Sequence, residues 1–279
     1  MKPLALQHYE KARDTLAFEP RFPLIDSHIH LDSEPYHSDW QEVWKQAQAF
    51  GVVAAVMPAT NLASSQRILQ MCQSNSQLFA GVGIHPHQAQ EFCPTATPPQ
   101  LRALTQSAVA IGETGLEGHY DFCPWEAQLG SLRFHLELAK EVQLPLILHC
   151  RESEEALYRE LSEAGPFQAG GVVHCYTGSW EYAEKFLGLG FHLGVNGLVT
   201  LANANNVHEV AQRMPLERML LETDGPYLTP RPFRGFRNEP ALVSLACQSV
   251  AQLRQMEPES VARATSRNSK GLFRLPLEV

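Results

Sequence analysis

The chain has 279 residues, 44% of them hydrophobic and 19% charged, which is enough to bury a large core. A formal net charge of −8 excludes a global basic face for nucleic acid, so any polyanionic substrate must be drawn in by bound cations and a few local arginines. No apolar run reaches the ~18 residues of a membrane-spanning helix, and the polar N-terminus lacks the apolar stretch of a secretory signal.

Residues 1–22 precede the first strand-like run. The stretch around Leu4–Leu16 reads either as a short helix capping the floor of the fold or as a loose extension. From there, short apolar runs alternate with longer helical ones. Strands are predicted at 24–31, 52–59, 79–85, 109–114, 145–150, 171–176, 191–196 and 218–223. Helical stretches between them include WQEVWKQAQAFG, SSQRILQMCQSN, WEAQLGSLRFHLELAKEVQ, EEALYRELSEAG, WEYAEKFLGLG and NNVHEVAQRM, several of which stop at glycine. Two further helical stretches, about 240–255 and 258–273, follow the last strand. Near-continuous Val/Ile/Leu strands alternating with helices describe a parallel sheet covered on its outer face. Eight units of about 30 residues predict an α/β fold, a single-domain TIM (β/α)8 barrel over 23–279 preceded by an extension over 1–22. A doubly wound open sheet is the alternative. Against it, no G-x-G-x-x-G follows the first strand.

Many of these strands end in a histidine or a carboxylate, which is how a barrel gathers a divalent-metal hydrolase site at one mouth. His28 and His30 are spaced i, i+2, so on a strand both point the same way and can bind one metal. Glu113 lies between glycines in IGETG and can bridge two metals directly. His149 and His174 end adjacent strands and can complete a second metal site. Asp224 follows strand eight and is expected both to ligate and to take a proton from the attacking water. Glu222 shares its parity one step deeper and suits a histidine-orienting role. His85 is expected near the substrate rather than among the ligands, with His87 less well placed; the remaining histidines read as structural or surface groups.

Charge then bears on substrate. Two divalent ions facing Glu113 and Asp224 leave a net positive charge of roughly two, which suits phosphate. Arg151 and Tyr176 share parity with the histidines of their strands and are expected to face the mouth, Arg151 either steadying an anionic oxygen or making a surface salt bridge. The stretch TPRPFRGFRNEP interleaves Arg231, Arg234 and Arg237 with Phe233 and Phe236; it reads either as a phosphate- and base-gripping rim or as an ordinary ordered loop. Six cysteines without a C-x-x-C suggest reduced thiols in a cytoplasmic protein, and Cys150 and Cys175, next to candidate histidines, are expected to face the helical layer.

The motifs DSHIHLD, GIHPHQ, IGETGLE, LPLILHCRES, GGVVHCYTGS, ETDGPYLTP and RGFRNEP closely resemble, in order, those of the TatD-type metal-dependent deoxyribonucleases, and the likeness runs from about residue 24 to the C-terminal NSKGLF. The resemblance implies a TIM barrel with two divalent ions (Mg, Mn or Zn) and 3′ to 5′ exonuclease or related DNase activity. It would place His28, His30 and Asp224 on the first metal, Glu113 between both, His149 and His174 on the second, and His85 near the scissile phosphate. The catalytic residues expected are then Asp224, Glu113 and His85, and the charge reading of the mouth adds Arg151, Arg234 and Arg237 as the expected substrate-binding residues. Two positions depart from the family's GEIGLD: Thr114 replaces an apolar residue and Glu117 an aspartate, which touches the loop after strand four rather than the metal site. The extension over 1–22 is longer than the family pattern.

The reading that results is a metal-dependent hydrolase, most simply a deoxyribonuclease acting on single strands or 3′ ends of DNA, with no membrane and no obligate protein partner. An amidohydrolase-like enzyme on a small ester, lactone or amide is the alternative that the acidic surface favours. A non-catalytic metal-binding scaffold is the third, and the intact water-activating residues argue against it.

Overall fold

The computed structural model describes residues 2–4 and 22–278. Eight strands pair in sequence order: β1 Leu24–Asp26, β2 Val52–Pro58, β3 Leu78–Val82, β4 Ala110–Glu117, β5 Leu146–Arg151, β6 Gly171–Val173, β7 His192–Val195 and β8 Met219–Leu221. Every pairing is parallel. A helix follows each strand: α1 Trp40–Ala49, α2 Leu62–Ser74, α3 Thr97–Leu104, α4 Trp125–Val142, α5 Glu154–Ala164, α6 Trp180–Gly188 and α7 Asn205–Arg213, with α8 Val243–Arg254 and α9 Pro258–Phe273 after β8. This is the predicted TIM barrel. Gly51 (φ 84°) and Gly190 (φ 89°) take left-handed backbone just beyond α1 and α6, as the glycine stop signals predict. Helix α3, in the long stretch between β3 and β4, had no clear apolar periodicity in the sequence.

Strand alternation divides the apolar residues into two layers. Ile25, Val56, Ile147, Val172 and Leu220 belong to the inner one, and Leu272, Phe273 and Leu275 from the end of α9 and just beyond pack onto it. Asn268 on α9 donates to the Met219 carbonyl at the start of β8, at 2.9 Å, which fixes this plug on the floor of the barrel. The outer layer, including Leu146, Leu148, Leu132 and Phe186, fills the space between strands and helices. Each such buried aliphatic or aromatic side chain contributes on the order of 1.5–3 kcal/mol. The helix expected around Leu4–Leu16 lies outside the described residues except at Leu4. Lys2–Leu4 lie against the loop after β8, where Arg237 N donates to the Lys2 carbonyl at 2.7 Å.

Strand ends differ from the sequence expectation where the site is built. β1 stops at Asp26, β6 at Val173 and β8 at Leu221, so His28, His30, His174 and Asp224 sit just beyond the paired segments. β4 instead runs on to Glu117, because Gly115–Glu117 pair with His149–Arg151 after a register shift. The seam between β1 and β8 is closed by single bonds: Ser27 N to Leu221 O (3.0 Å), Asp224 N to His28 O (2.9 Å) and His30 N to Gly225 O (2.9 Å).

Candidate active site

The seam itself assembles half of the site. The Asp26 carboxyl, fully buried, takes Oδ1 bonds from the backbone N–H of His28 (3.3 Å) and Thr223 (2.9 Å), and its Oδ2 meets Thr223 Oγ1 at 2.5 Å. Burial pushes Asp26 up to about 8 against these bonds. This clasp sets the chain after β1 beside the chain after β8. His28 and His30 then point the same way, their Nε2 atoms 3.1 Å apart, as i, i+2 spacing predicts. Asp224, in left-handed backbone at φ 57°, presents Oδ1 at 3.6 Å from His28 Nε2 and 3.7 Å from His30 Nε2. Burial raises Asp224 to about 6, offset in part by His174 and His30.

Glu113 enters from β4. Its flanking glycines do more than leave room for the carboxylate. A Cβ at Gly112 would stand 2.4 Å from the Ile147 carbonyl and one at Gly115 2.0 Å from the His149 carbonyl, and both residues have φ 145°. Only glycine lets β4 approach β5 this closely at these angles. The result sets Glu113 and His149 side by side.

The two oxygens of Glu113 face two different donor groups. Oε2 lies 3.3 Å from His28 Nε2 and 3.5 Å from His30 Nε2. Oε1 lies 2.8 Å from His174 Nε2, 3.1 Å from His149 Nδ1 and 3.3 Å from His85 Nε2. Burial alone would raise this carboxyl; the imidazoles of His174, His85 and His28 outweigh it and hold it well below the usual range. Glu222 supports the second group. Its Oε1 accepts the Cys175 N–H at 2.6 Å and lies 3.6 Å from His174 Nδ1, and a Cβ on Gly194 would occupy the space of its carboxylate.

The donor geometry fits divalent cations. His28 Nε2 and His30 Nε2 face each other and Glu113 Oε2, which is buried with no hydrogen-bond partner among the described residues. A ring nitrogen pair can share one proton; with both rings presenting lone pairs, a divalent cation satisfies the two nitrogens and the carboxylate oxygen together. Donor atoms of His28, His30 and Asp224, and of His85, Glu113 and His149, each lie within 4.8 Å of one another. Imidazole with carboxylate is a donor set for first-row divalent ions.

These groups lie at the bottom of a cavity of about 910 Å³ at the C-terminal mouth of the barrel. The structure brings together all six candidate ligands, His28, His30, Glu113, His149, His174 and Asp224. His85 borders the cavity as well, and its Nε2 also stands 3.3 Å from Glu113 Oε1. Arg151 lines the cavity, its guanidinium 4.7 Å from the Tyr120 ring. Arg234 is exposed and does not line the cavity; Arg237 is buried, held by Asp39 (2.8 Å), Glu239 (2.8 Å) and the Pro35 carbonyl over the Tyr36 ring. The interleaved Phe233 is buried too. Arg237 thus buttresses the loop, because it meets local carboxylates before it can reach a substrate.

Parity also inverts after β6. Cys175 has φ 46°, so alternation ends there. Tyr176 turns into the helical layer against Phe186 and donates its hydroxyl to Ser179 O at 2.8 Å. Cys175 instead borders the cavity, its thiol pushed well up by burial and by the Asp224 and Glu222 carboxylates. Cys150 packs in the outer core, as expected.

Sequence reading missed four groups at the mouth. Arg67 on α2 lines the cavity, one nitrogen 3.0 Å from Asp32 Oδ2. Glu117 places Oε2 3.2 Å from His149 Nε2 and 3.1 Å from His87 Nε2, while Oε1 accepts the N–H groups of His119 (2.7 Å) and Tyr120 (3.1 Å). Those hydrogen bonds hold Glu117 down at about 2 against the opposing effect of burial. Tyr120 and Phe122 stand on the rim. The available signal was position: loops after barrel strands are where such sites are built.

Comparison with known proteins agrees with this geometry. The family model for TatD related DNase matches residues 25–274. The chain is 39% identical over 254 residues to the uncharacterized metal-dependent hydrolase YabD of Bacillus subtilis, covering 90% of this chain and 99% of that protein. It is 34% identical over 261 residues to the 3′-5′ ssDNA/RNA exonuclease TatD of Erwinia billingiae, covering 91% of this chain and 100% of that one. Among solved structures it superposes on YJJV, a TATD homolog from Escherichia coli K12, with a TM-score of 0.86 at 32% identity, covering 91% of this chain and 98% of that one. The chain therefore belongs to the TatD-related DNase family and is a metal-dependent hydrolase acting on ester bonds.

Proposed function

We propose that the protein is a phosphodiesterase using two divalent ions, and that it removes nucleotides from the 3′ end of single-stranded DNA. The observation that carries this reading is the division of Glu113, one oxygen toward His28 and His30 and the other toward His85, His149 and His174. A bridging carboxylate between two histidine groups is the arrangement that holds two cations a few ångströms apart. The chemistry supplied by such ions, when bound, is Lewis acidity at the scissile phosphate and at the attacking water.

The chain's own residues do the rest. Asp224, the least buried of the carboxylates in the site, borders the cavity and takes the proton of the water. Arg151 and Arg67, both lining the mouth, hold backbone phosphates. Glu222 orients His174, and Glu117 orients His149 and His87. The named activity of the Erwinia relative supports the same class of substrate. Unpaired thiols at all six cysteines suit a reducing cytoplasm.

A panel tests the bond type. Metal-loaded protein should hydrolyse an oligonucleotide and bis(p-nitrophenyl) phosphate, and leave p-nitrophenyl acetate, lactones and acyl amides untouched. Turnover of a carboxyl ester, lactone or amide without any phosphodiester cleavage would replace this reading by the amidohydrolase one.

A further inference from the structure

The mouth carries an aromatic surface that metal binding does not use. Tyr120 and Phe122, in the loop after β4, are 42% and 62% exposed, although both are large apolar groups. Their rings stack on each other, centroids 5.0 Å apart and 18° between planes. The Arg151 guanidinium lies over the Tyr120 ring at 4.7 Å, and His87 meets Phe122 edge-on at 4.9 Å. All four border the same cavity as the candidate metal ligands.

The pair is also fixed relative to the reacting centre. Glu117 holds His149 through Oε2 and the Tyr120 N–H through Oε1, so one carboxylate joins the candidate ligand to the aromatic loop. The Glu117 side chain alone spans both contacts. Exposed rings held rigidly cost water contact, and their stacking and cationic neighbour select a flat, polarisable, anion-bearing partner.

Resting on the nuclease reading, we propose that Tyr120 and Phe122 form a stacking shelf for the base next to the scissile phosphate, with Arg151 gripping the adjoining phosphate. The shelf makes the enzyme favour single-stranded segments, because a base inside a duplex has both faces covered by its stacked neighbours. Its contribution is to binding and positioning rather than to the chemical step.

The test is fluorescence anisotropy in the Asp224→Asn background with manganese. The probes are a 5′-fluorescein hexathymidylate and the same oligomer with tetrahydrofuran abasic units at its two 3′ positions. The base-bearing probe should bind about 5- to 150-fold more tightly. Phe122→Ala and Tyr120→Ala should each erase most of that ratio, and Phe122→Tyr should keep it. In the otherwise native enzyme, Phe122→Ala should raise KM for the base-bearing oligomer by a larger factor than for the abasic one. Equal binding of the two probes, or a ratio unmoved by both alanine variants, overturns the shelf. Cleavage with no base-dependent binding would sink the shelf alone; base-dependent binding with no cleavage of any oligomer by native protein would sink the nuclease reading and leave the shelf standing.

Discussion

Asp224 and Glu113 both line the cavity, yet the geometry gives them different tasks. Glu113 is 1% exposed and enclosed by imidazoles, whereas the Asp224 side chain is 14% exposed. Asp224→Asn should lower kcat by about 10²–10⁴-fold, the range for a general base, with the melting temperature little changed. Substantial activity in that variant would remove the assignment. Glu222→Gln should weaken metal binding by about 10–100-fold through a mis-set His174, read by calorimetric metal titration. His135 offers a residue-scale test outside the site. It is fully buried in α4, takes the Ile84 N–H on Nε2 at 3.1 Å, and burial lowers its pKa from 6.5 to about 4. Above pH 6.5 the imidazole is neutral in both folded and unfolded chains. Between 6.5 and 4 the unfolded chain gains a proton that the folded chain refuses, so stability falls, by about 3 kcal/mol in total. The urea midpoint should drop across that window, and His135→Gln, which retains the acceptor, should flatten the drop. Parallel pH profiles for parent and variant would contradict it.

Element geometry explains what was legible in the sequence. His28 and His30 share a face because two-residue spacing in extended chain puts them there, even though β1 ends before both. The same alternation fails after β6, where the left-handed backbone at Cys175 sends Tyr176 outward; nothing in GGVVHCYTGS marks that turn. The strand end of His85 says only which mouth it faces, whereas its distance to Glu113 depends on how β3 and β4 stagger. Arg237 was read as a rim cation because its partners Asp39 and Glu239 are brought to it by the fold. The β4–β5 approach gives an element-scale prediction. Gly115→Ala should destabilise the protein by about 1–3 kcal/mol or more, since its Cβ would stand 2.0 Å from the His149 carbonyl. It should also cost metal affinity by displacing His149. A variant with unchanged denaturation midpoint and unchanged metal content would show that β4 and β5 can part without consequence.

At the scale of the whole molecule, candidate ligands on or just after β1, β4, β5, β6 and β8 converge on one mouth, so divalent ions bound there would crosslink the barrel. Chelation should therefore lower the melting temperature. Ions at 100 times their dissociation constant contribute about 2.7 kcal/mol per independent site, worth several degrees in a chain of this size. Re-addition of the metal should restore it, and a melting temperature indifferent to EDTA would argue against a structural crosslink. The acidic surface has a matching consequence: with a net charge of −8, attraction for a polyanion is confined to the mouth and depends on the ions held there. The most direct measurement of the central claim uses metal-stripped protein and a 5′-labelled single-stranded DNA oligonucleotide, with Mg, Mn or Zn added back and Glu113→Ala alongside. The expected result is a metal-dependent ladder shortening from the 3′ end and absent in the variant; an intact oligonucleotide under every metal, with two ions bound by the native protein, would contradict it.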